Sequence, residues 1–291
     1  MTVVAVGHRG TILNGPENSI QSHERAYAMG ARGIEFDIQT TQDNVFVVFH
    51  DDSLDDKTTD RGKLENMDWE DLASVRLCWG EEKTPTEEKI PSLEEALHNV
   101  RGRYMVDLDF KRGPDNSAEI LRPLLINAGF HRNNTPLVTI FCRTKLDYDK
   151  LKSLRDICRL RPLYQDKGHI SEMKAEDVRI MGIRNYQYKS NIVLNMRNVG
   201  IHAFVNSMRT KKDLEKIPII GGIIAQIVTW REQSIQKIYK KASEAGALFI
   251  QTDDLPGLVT FLTEKGLYEG RVLNRHFQPL EPEHGDDLNM V

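Results

Sequence analysis

The chain has 291 residues, with 39 Lys and Arg against 43 Asp and Glu and a net charge of −4. That length suits a single α/β barrel of ~250 residues, and the lack of a long basic block gives nucleic acid no footprint. Three scattered cysteines, Cys78, Cys142 and Cys158, argue against a disulfide framework or a cysteine zinc site.

The first apolar run predicts a strand over Val3–Gly7 that ends at His8-Arg9-Gly10. A helix is expected over Ser19–Met29, stopped by Gly30, because glycine takes the left-handed conformation cheaply. Gly33–Asp37 and Val45–Phe49 read as one interrupted strand unit carrying Glu35 and Asp37 and ending at His50-Asp51. Residues 51–91 then break the rhythm. They are long, polar and charged, and read as an insertion after the second strand that covers one side of the mouth. Ser92 and Glu95 form a capping box that opens a helix over Leu93–Asn99.

Beyond it, strands are expected at Tyr104–Asp109, Leu137–Phe141, Arg159–Leu163, Ile180–Ile183, Ile201–Val205 and Leu248–Thr252. The helices between and after them are expected at Ala118–Ala128, Lys145–Cys158, Glu172–Asp177, Ile192–Asn198, Gln233–Ala245 and Pro256–Lys265. About eight β-then-α units favour closure into a TIM (β/α)8 barrel over a doubly wound open sheet. The barrel is assigned to residues 1–270, and 271–291 to a polar C-terminal extension. Met1 is not followed by a basic and then apolar leader, and the most apolar stretch, Ile217–Val228, falls short of the ~18 residues of a span. The expectation is a cytoplasmic chain without a transmembrane segment or nucleic-acid partner. Its oligomeric state is left open.

The reactive residues gather at strand C-termini, where barrels of this kind build their sites. His8 and His50 are candidate general acid and base, since imidazole gives and takes protons near neutral pH. Glu35 and Asp37 share one strand face by alternation, and Asp107, Asp109 and Lys111 repeat that parity on the third strand. Carboxylates converging at one mouth suit a hard divalent cation such as Mg²⁺ or Ca²⁺. Arg9 and Lys111 are candidate phosphate clamps. Glu17 is a further ligand or an orienter of an imidazole. The set points to metal-assisted chemistry on a phosphodiester.

In their order along the chain, several motifs resemble the glycerophosphodiester phosphodiesterase family. They are His8-Arg9-Gly10, Pro16-Glu17-Asn18-Ser19, Gly33-Ile34-Glu35-Phe36-Asp37, His50-Asp51, Thr58-Thr59-Asp60-Arg61-Gly62, Ile90-Pro91-Ser92-Leu93-Glu94-Glu95, Asp109-Phe110-Lys111 and Gln251-Thr252-Asp253. The resemblance spans about residues 3–267. It implies a TIM barrel that hydrolyses small glycerophosphodiesters to an alcohol and sn-glycerol 3-phosphate. It also implies one divalent cation on the positions of Glu35, Asp37 and Asp109, acid and base at His8 and His50, and Asn206 and Gln251 at the substrate. The family usually carries Glu at the third metal position. Asp109 is one methylene shorter, which makes Asp107 a rival or additional ligand. Asn206 stands about where many members place a tryptophan. Two alternative readings are a lipid-directed phosphodiesterase of lysophospholipase D type, motivated by Ile217–Val228, and a barrel that binds phosphodiesters without turning them over.

Overall fold

A computed structural model of the chain describes residues 2–131, 135–184, 190–207, 236–271, 273 and 278. Eight of its strands run parallel: β1 (Val4–Gly7), β2 (Gly33–Thr40), β6 (Met105–Phe110), β7 (Val138–Cys142), β8 (Arg159–Pro162), β9 (Ile180–Arg184), β10 (His202–Asn206) and β11 (Phe249–Thr252). Each pairs with its neighbour in chain order, and β11 returns to β1. A parallel bridge between Leu163 and Gly182 joins β8 to β9, so the sheet forms a nearly closed barrel. The helices α1 (Ile20–Ala28), α2 (Leu93–Val100), α3 (Ser117–Asn127), α4 (Lys145–Leu151), α5 (Lys167–Ala175), α6 (Ser190–Asn198), α7 (236–245) and α8 (Leu255–Glu264) alternate with the strands. Among the described residues, no helix is long and apolar enough to cross a membrane.

Three local expectations are corrected. β3 (Phe46–Val48) is not a continuation of β2 but turns back antiparallel onto its end, pairing Ile38 with Val48 and Thr40 with Phe46. The helix expected through Cys158 stops at Leu151 and tightens to 3₁₀ over Lys152–Asp156. The helix expected from Glu172 begins at Lys167, because the Asp166 side chain accepts from His169 N at 3.0 Å and caps it. Apolar spacing alone hides that start, since the first turn is Lys-Gly-His. The Ser92 capping box forms as expected, with Glu95 N donating to Ser92 Oγ at 3.1 Å and Ser92 N to Glu95 Oε2 at 2.8 Å.

Residues 51–91 hold two short 3₁₀ turns, Leu64–Asn66 and Trp69–Ser74, and a small hairpin of β4 (Cys78–Trp79) and β5 (Thr84–Pro85). Leu54, Leu64, Leu72, Val75, Leu77 and Ile90 pack with Val47 and Phe49 into a core separate from that of the barrel. Burial of this many aliphatic groups, each contributing about 1.5–3 kcal/mol, gives a polar-looking segment its own fold.

The large core lies between the strands and the helices and includes Ile34, Phe36, Leu108, Ile140 and Leu258. Inside the barrel, Val4, Met105, Leu137, Ile180 and Leu248 close the N-terminal end. Leu273 joins this cluster, and its carbonyl accepts from Leu137 N at 2.7 Å, so chain beyond the last helix lies across the barrel bottom. Higher up, the interior turns polar. Arg161 grips Asp107 through Nε at 2.9 Å and through Nη2, and Thr139 also donates to Asp107. The guanidinium lies 4.2 Å and 4.0 Å from the ring centroids of Phe141 and Phe204. A side chain at Gly182 would strike Arg161 Nη1 at 2.6 Å, so the glycine leaves room for this buried pair. The polar pair carries the interior upward to the C-terminal rim.

Candidate active site

His8 and Arg9 leave β1 at that rim, and the chain turns sharply to hold them there. Arg9 sits at φ 52°, a left-handed conformation that a non-glycine residue keeps only when its surroundings fix it. Here the Arg9 carbonyl accepts from Asn18 N at 2.9 Å and from Ser22 Oγ at 3.1 Å. The Arg9 amide donates to Glu35 Oε2 at 2.9 Å, tying β1 to β2 across the mouth.

Glu35 and Asp37 from β2 and Asp109 from β6 bring ligand oxygens within 4.8 Å of one another. Asp37 and Asp109 are register partners, which is why two separate strands deliver acids to one point. Glu35 and Asp37 are buried. Burial pushes the Glu35 carboxyl well above the usual carboxylate range, and Asp37 and Asp109 push it further against Lys111 and Arg9. Burial acts on Asp37 in the same direction but is outweighed by Arg9 and Lys111, so its carboxyl is held below the usual range. Lys111 Nζ lies 2.7 Å from Asp37 Oδ1 and 2.8 Å from Asp109 Oδ2. The Asp37 Oδ1 contact lacks hydrogen-bond geometry, which leaves a buried carboxylate oxygen with acceptor capacity to spare. Three hard oxygen donors around one point, one of them held against its preference for the charged form, fit a divalent cation.

Arg9 Nε approaches Asp37 Oδ2 at 2.9 Å, and its Nη1 donates to Glu17 Oε1 at 2.8 Å. Burial works against the Arg9 charge, but Asp37, Glu17 and Glu35 more than compensate and raise its pKa. Glu17 also faces Lys57 of the insertion at 3.7 Å, so the structure places it behind Arg9 as its brace.

Each candidate imidazole is backed by a carboxylate. His8 Nδ1 is 2.6 Å from Asp253 Oδ1, and its Nε2 turns toward the acids, 4.0 Å from Glu35 Oε2. His50 Nδ1 is 2.5 Å from Asp51 Oδ1. The hydrogen bond from His50 is the main cause of a lowered Asp51 pKa. Gln39 on β2 fixes the turn at His50 by donating to the carbonyls of Phe49 at 2.9 Å and Asp51 at 2.8 Å.

Asp107 does not join the acidic cluster. Arg161 and Thr139 take its carboxylate deeper in the barrel, so the parity that equates it with Asp109 does not make it a neighbour of Glu35 and Asp37. Asn206 and Gln251 lie side by side in register near the rim, with Gln251 buried and Asn206 half-buried. Ile217–Val228 lies outside the described residues.

Three residues of the site go unpredicted from sequence. Asp253 backs His8; its parity with Gln251 and a histidine in need of a carboxylate partner were the signals available. Asn18 stands next to Ser19, which caps α1, and its Nδ2 donates to Asp37 Oδ2 at 2.9 Å. Arg143, just past β7, holds Asp109 with Nε at 3.1 Å and Nη2 at 2.7 Å. No local pattern marks it.

The fold and the rim together define an eight-stranded α/β barrel with a carboxylate cluster, paired cations and two carboxylate-backed histidines at its C-terminal mouth. Residues 8–122 match the model of the glycerophosphoryl diester phosphodiesterase family. A glycerophosphodiester phosphodiesterase of Caldanaerobacter subterraneus is 33% identical over 116 residues, which is 39% of this chain and 47% of the relative. The aligned stretch thus spans about half of that relative's length. A glycerophosphoryl diester phosphodiesterase structure from Parabacteroides distasonis superposes with a TM-score of 0.71 at 20% identity, covering 96% of this chain and 92% of the other. An Oleispira antarctica phosphodiesterase in complex with the product sn-glycerol-3-phosphate superposes at 0.69 with 17% identity, covering 90% and 97%. The family match thus rests on residues 8–122, and the structural likeness, at 20% identity or below, shows that the fold is shared.

Proposed function

We propose that the chain hydrolyses glycerophosphodiesters to an alcohol and sn-glycerol 3-phosphate, with Glu35, Asp37 and Asp109 holding one divalent cation, Mg²⁺ or Ca²⁺. The reading is carried by the convergence of those three carboxylates with Arg9, Lys111 and two carboxylate-backed imidazoles on one rim. The product named in the Oleispira antarctica complex supports the same chemistry.

Bound there, the cation would offset phosphate charge and lower the pKa of a coordinated hydroxyl. Arg9 and Lys111 bind the phosphate oxygens, the first as a planar fork and the second as a point charge. A carboxylate at Nδ1 fixes that nitrogen as the protonated one and leaves Nε2 free to accept or return a proton. One of His8 and His50 takes the proton of the nucleophile, and the other protonates the leaving alkoxide. The nucleophile is the glycerol 2-hydroxyl, which gives a cyclic phosphate first, or water. A substrate without that hydroxyl decides between them, since full retained turnover excludes internal attack.

The test is glycerol 3-phosphate release from glycerophosphocholine and glycerophosphoethanolamine with Mg²⁺, Ca²⁺ or chelator. Turnover should require the cation, and His8→Ala or His50→Ala should lower kcat by roughly 10²–10⁴. Near-wild-type rates in either variant refute that histidine's role. Ligand binding without turnover under every cation favours a barrel that only binds phosphodiesters.

One observation supports a lipid substrate as the second reading. Ile12, Leu13 and Trp79 are exposed, and Trp79 Nε1 donates to the Ile12 carbonyl at 3.4 Å, which places apolar groups together on the mouth. Lysophospholipid turnover well above that of glycerophosphocholine, lost in Trp79→Ala, would establish this reading. Equal loss on both substrates would refute it.

A further inference from the structure

Two strands around the rim from the acidic cluster, a cavity of about 70 Å³ opens above the ends of β7 and β8. Cys142, Arg143, Pro162 and Leu163 form its floor, and α4 and α5 form its walls. It has room for several waters, or for a group of about five heavy atoms. Arg143 is shared between this cavity and the candidate active site, because the guanidinium that lines the cavity also grips Asp109 through two nitrogens. The cavity therefore adjoins the acidic cluster across the Arg143 side chain.

The lining is mixed, with Cys142, Tyr148, Pro162, Leu163 and Met173 beside charged side chains. The Arg143 charge is met by Asp109, so Lys145 is the lining cation left for a headgroup, with Glu172 as the one acid. Lys145 and Glu172 approach only to 3.8 Å, and both are more than half exposed, so their pairing is weak and exchangeable. His169 lines the cavity as well, and its buried Nδ1 has no hydrogen-bond partner among the described residues. The His169 backbone is tied to Asp166, which fixes the residue at the start of α5. A buried ring nitrogen left unpaired costs free energy until something bonds to it. Tyr148 is the one aromatic ring among the lining residues apart from His169, too few for the aromatic cage that a quaternary ammonium would need.

We propose that this cavity is the subsite for the leaving alcohol and that it selects a small headgroup bearing a negative charge, such as a hydroxy-carboxylate, with Lys145 and His169 as its specificity residues. The proposal rests on the phosphodiesterase reading above. Neither residue touches the acidic cluster or its cations, so headgroup choice is separable from the chemistry.

The experiment compares kcat/KM for glycerophosphoserine and glycerophosphocholine with Mg²⁺, in the wild type, Lys145→Glu and His169→Ala. The wild type should favour glycerophosphoserine. Lys145→Glu and His169→Ala should each cut that preference by roughly five-fold, the size of one exposed charge pair or one hydrogen bond. Glycerophosphocholine turnover should stay near the wild-type value in both. Equal use of the two substrates by the wild type, or a preference unmoved in both variants, overturns the subsite. Calorimetric binding of glycerophosphoserine under chelator separates the two levels. Should no diester be turned over while glycerophosphoserine still binds and is weakened by Lys145→Glu, the catalytic reading fails and the subsite stands. Should both diesters be turned over alike, the subsite alone fails.

Discussion

The rim divides into two arcs that are built differently. Along β1, β2 and β6, the side chains are wired to one another: Arg9 to Asp37, Asp37 to Lys111, Lys111 to Asp109, and the Arg9 amide to Glu35. From β7 to β11 the rim instead contributes residues that reach across singly, Arg143 to Asp109 and Asp253 to His8. The first arc concentrates charge where a cation and a phosphate would sit. The second holds that charge in place and leaves open space beside it, including the cavity over β7 and β8. The two proposals thus assign chemistry and selectivity to different strands, and substitutions should separate them.

The largest effect expected on stability comes from below the rim. Asp107→Ala strips the partner from a buried Arg161 and should destabilise the fold by about 3–5 kcal/mol in denaturant unfolding. Asp109→Asn, two residues along the same strand, should instead weaken divalent-cation binding with little change in unfolding. If Asp107→Ala left stability intact and abolished cation binding, the division between the bracing pair and the acidic cluster would be wrong.

That division also explains which parts of the site are legible in the sequence. Glu35 with Asp37, and Asp107 with Asp109, announce themselves because a strand alternates faces, and strand-end histidines stand out beside charge. Alternation tells which face a side chain is on, not how high in the barrel it sits or which cation takes it. Asp107 and Asp109 look equivalent for this reason until Arg161, fifty-four residues on, is seen holding one of them. The same limit hides Asp253 and Arg143, whose partners lie 245 and 34 residues away. In the insertion, a charged composition conceals a core made of scattered single aliphatic residues. The closing strand β11 and its register with β1 carry Asp253 to His8, an arrangement fixed only when the barrel closes.

Asp253 tests the second arc directly. Asp253→Asn keeps the shape of the side chain but weakens its hold on His8 Nδ1, and should cost 10- to 100-fold in kcat while glycerophosphodiester KM changes little. A loss as large as that of His8→Ala would mean that Asp253 does more than orient the ring. No loss would mean that the ring is positioned by its own arc.

The smallest effect concerns the electrostatic state of the first arc. Burial, together with Asp37 and Asp109, raises the Glu35 carboxyl in the folded chain, so between the ordinary carboxylate pKa and that raised value the folded state binds more protons than the unfolded one. Stability therefore falls as pH rises through that window, and glutamine, which does not titrate, escapes the loss. Under chelator, Glu35→Gln should melt roughly 2–4 °C above the wild type near pH 8. The gap should close as pH drops toward the ordinary carboxylate range. Saturating divalent cation should reverse the order, because only the wild type keeps all three carboxylates and gains about 2.7 kcal/mol at one hundred times its Kd. A variant that melts below the wild type near pH 8 under chelator would show that Glu35 is stabilising without a cation. The first arc would then be a self-sufficient ion-pair network and not a site held open for a metal.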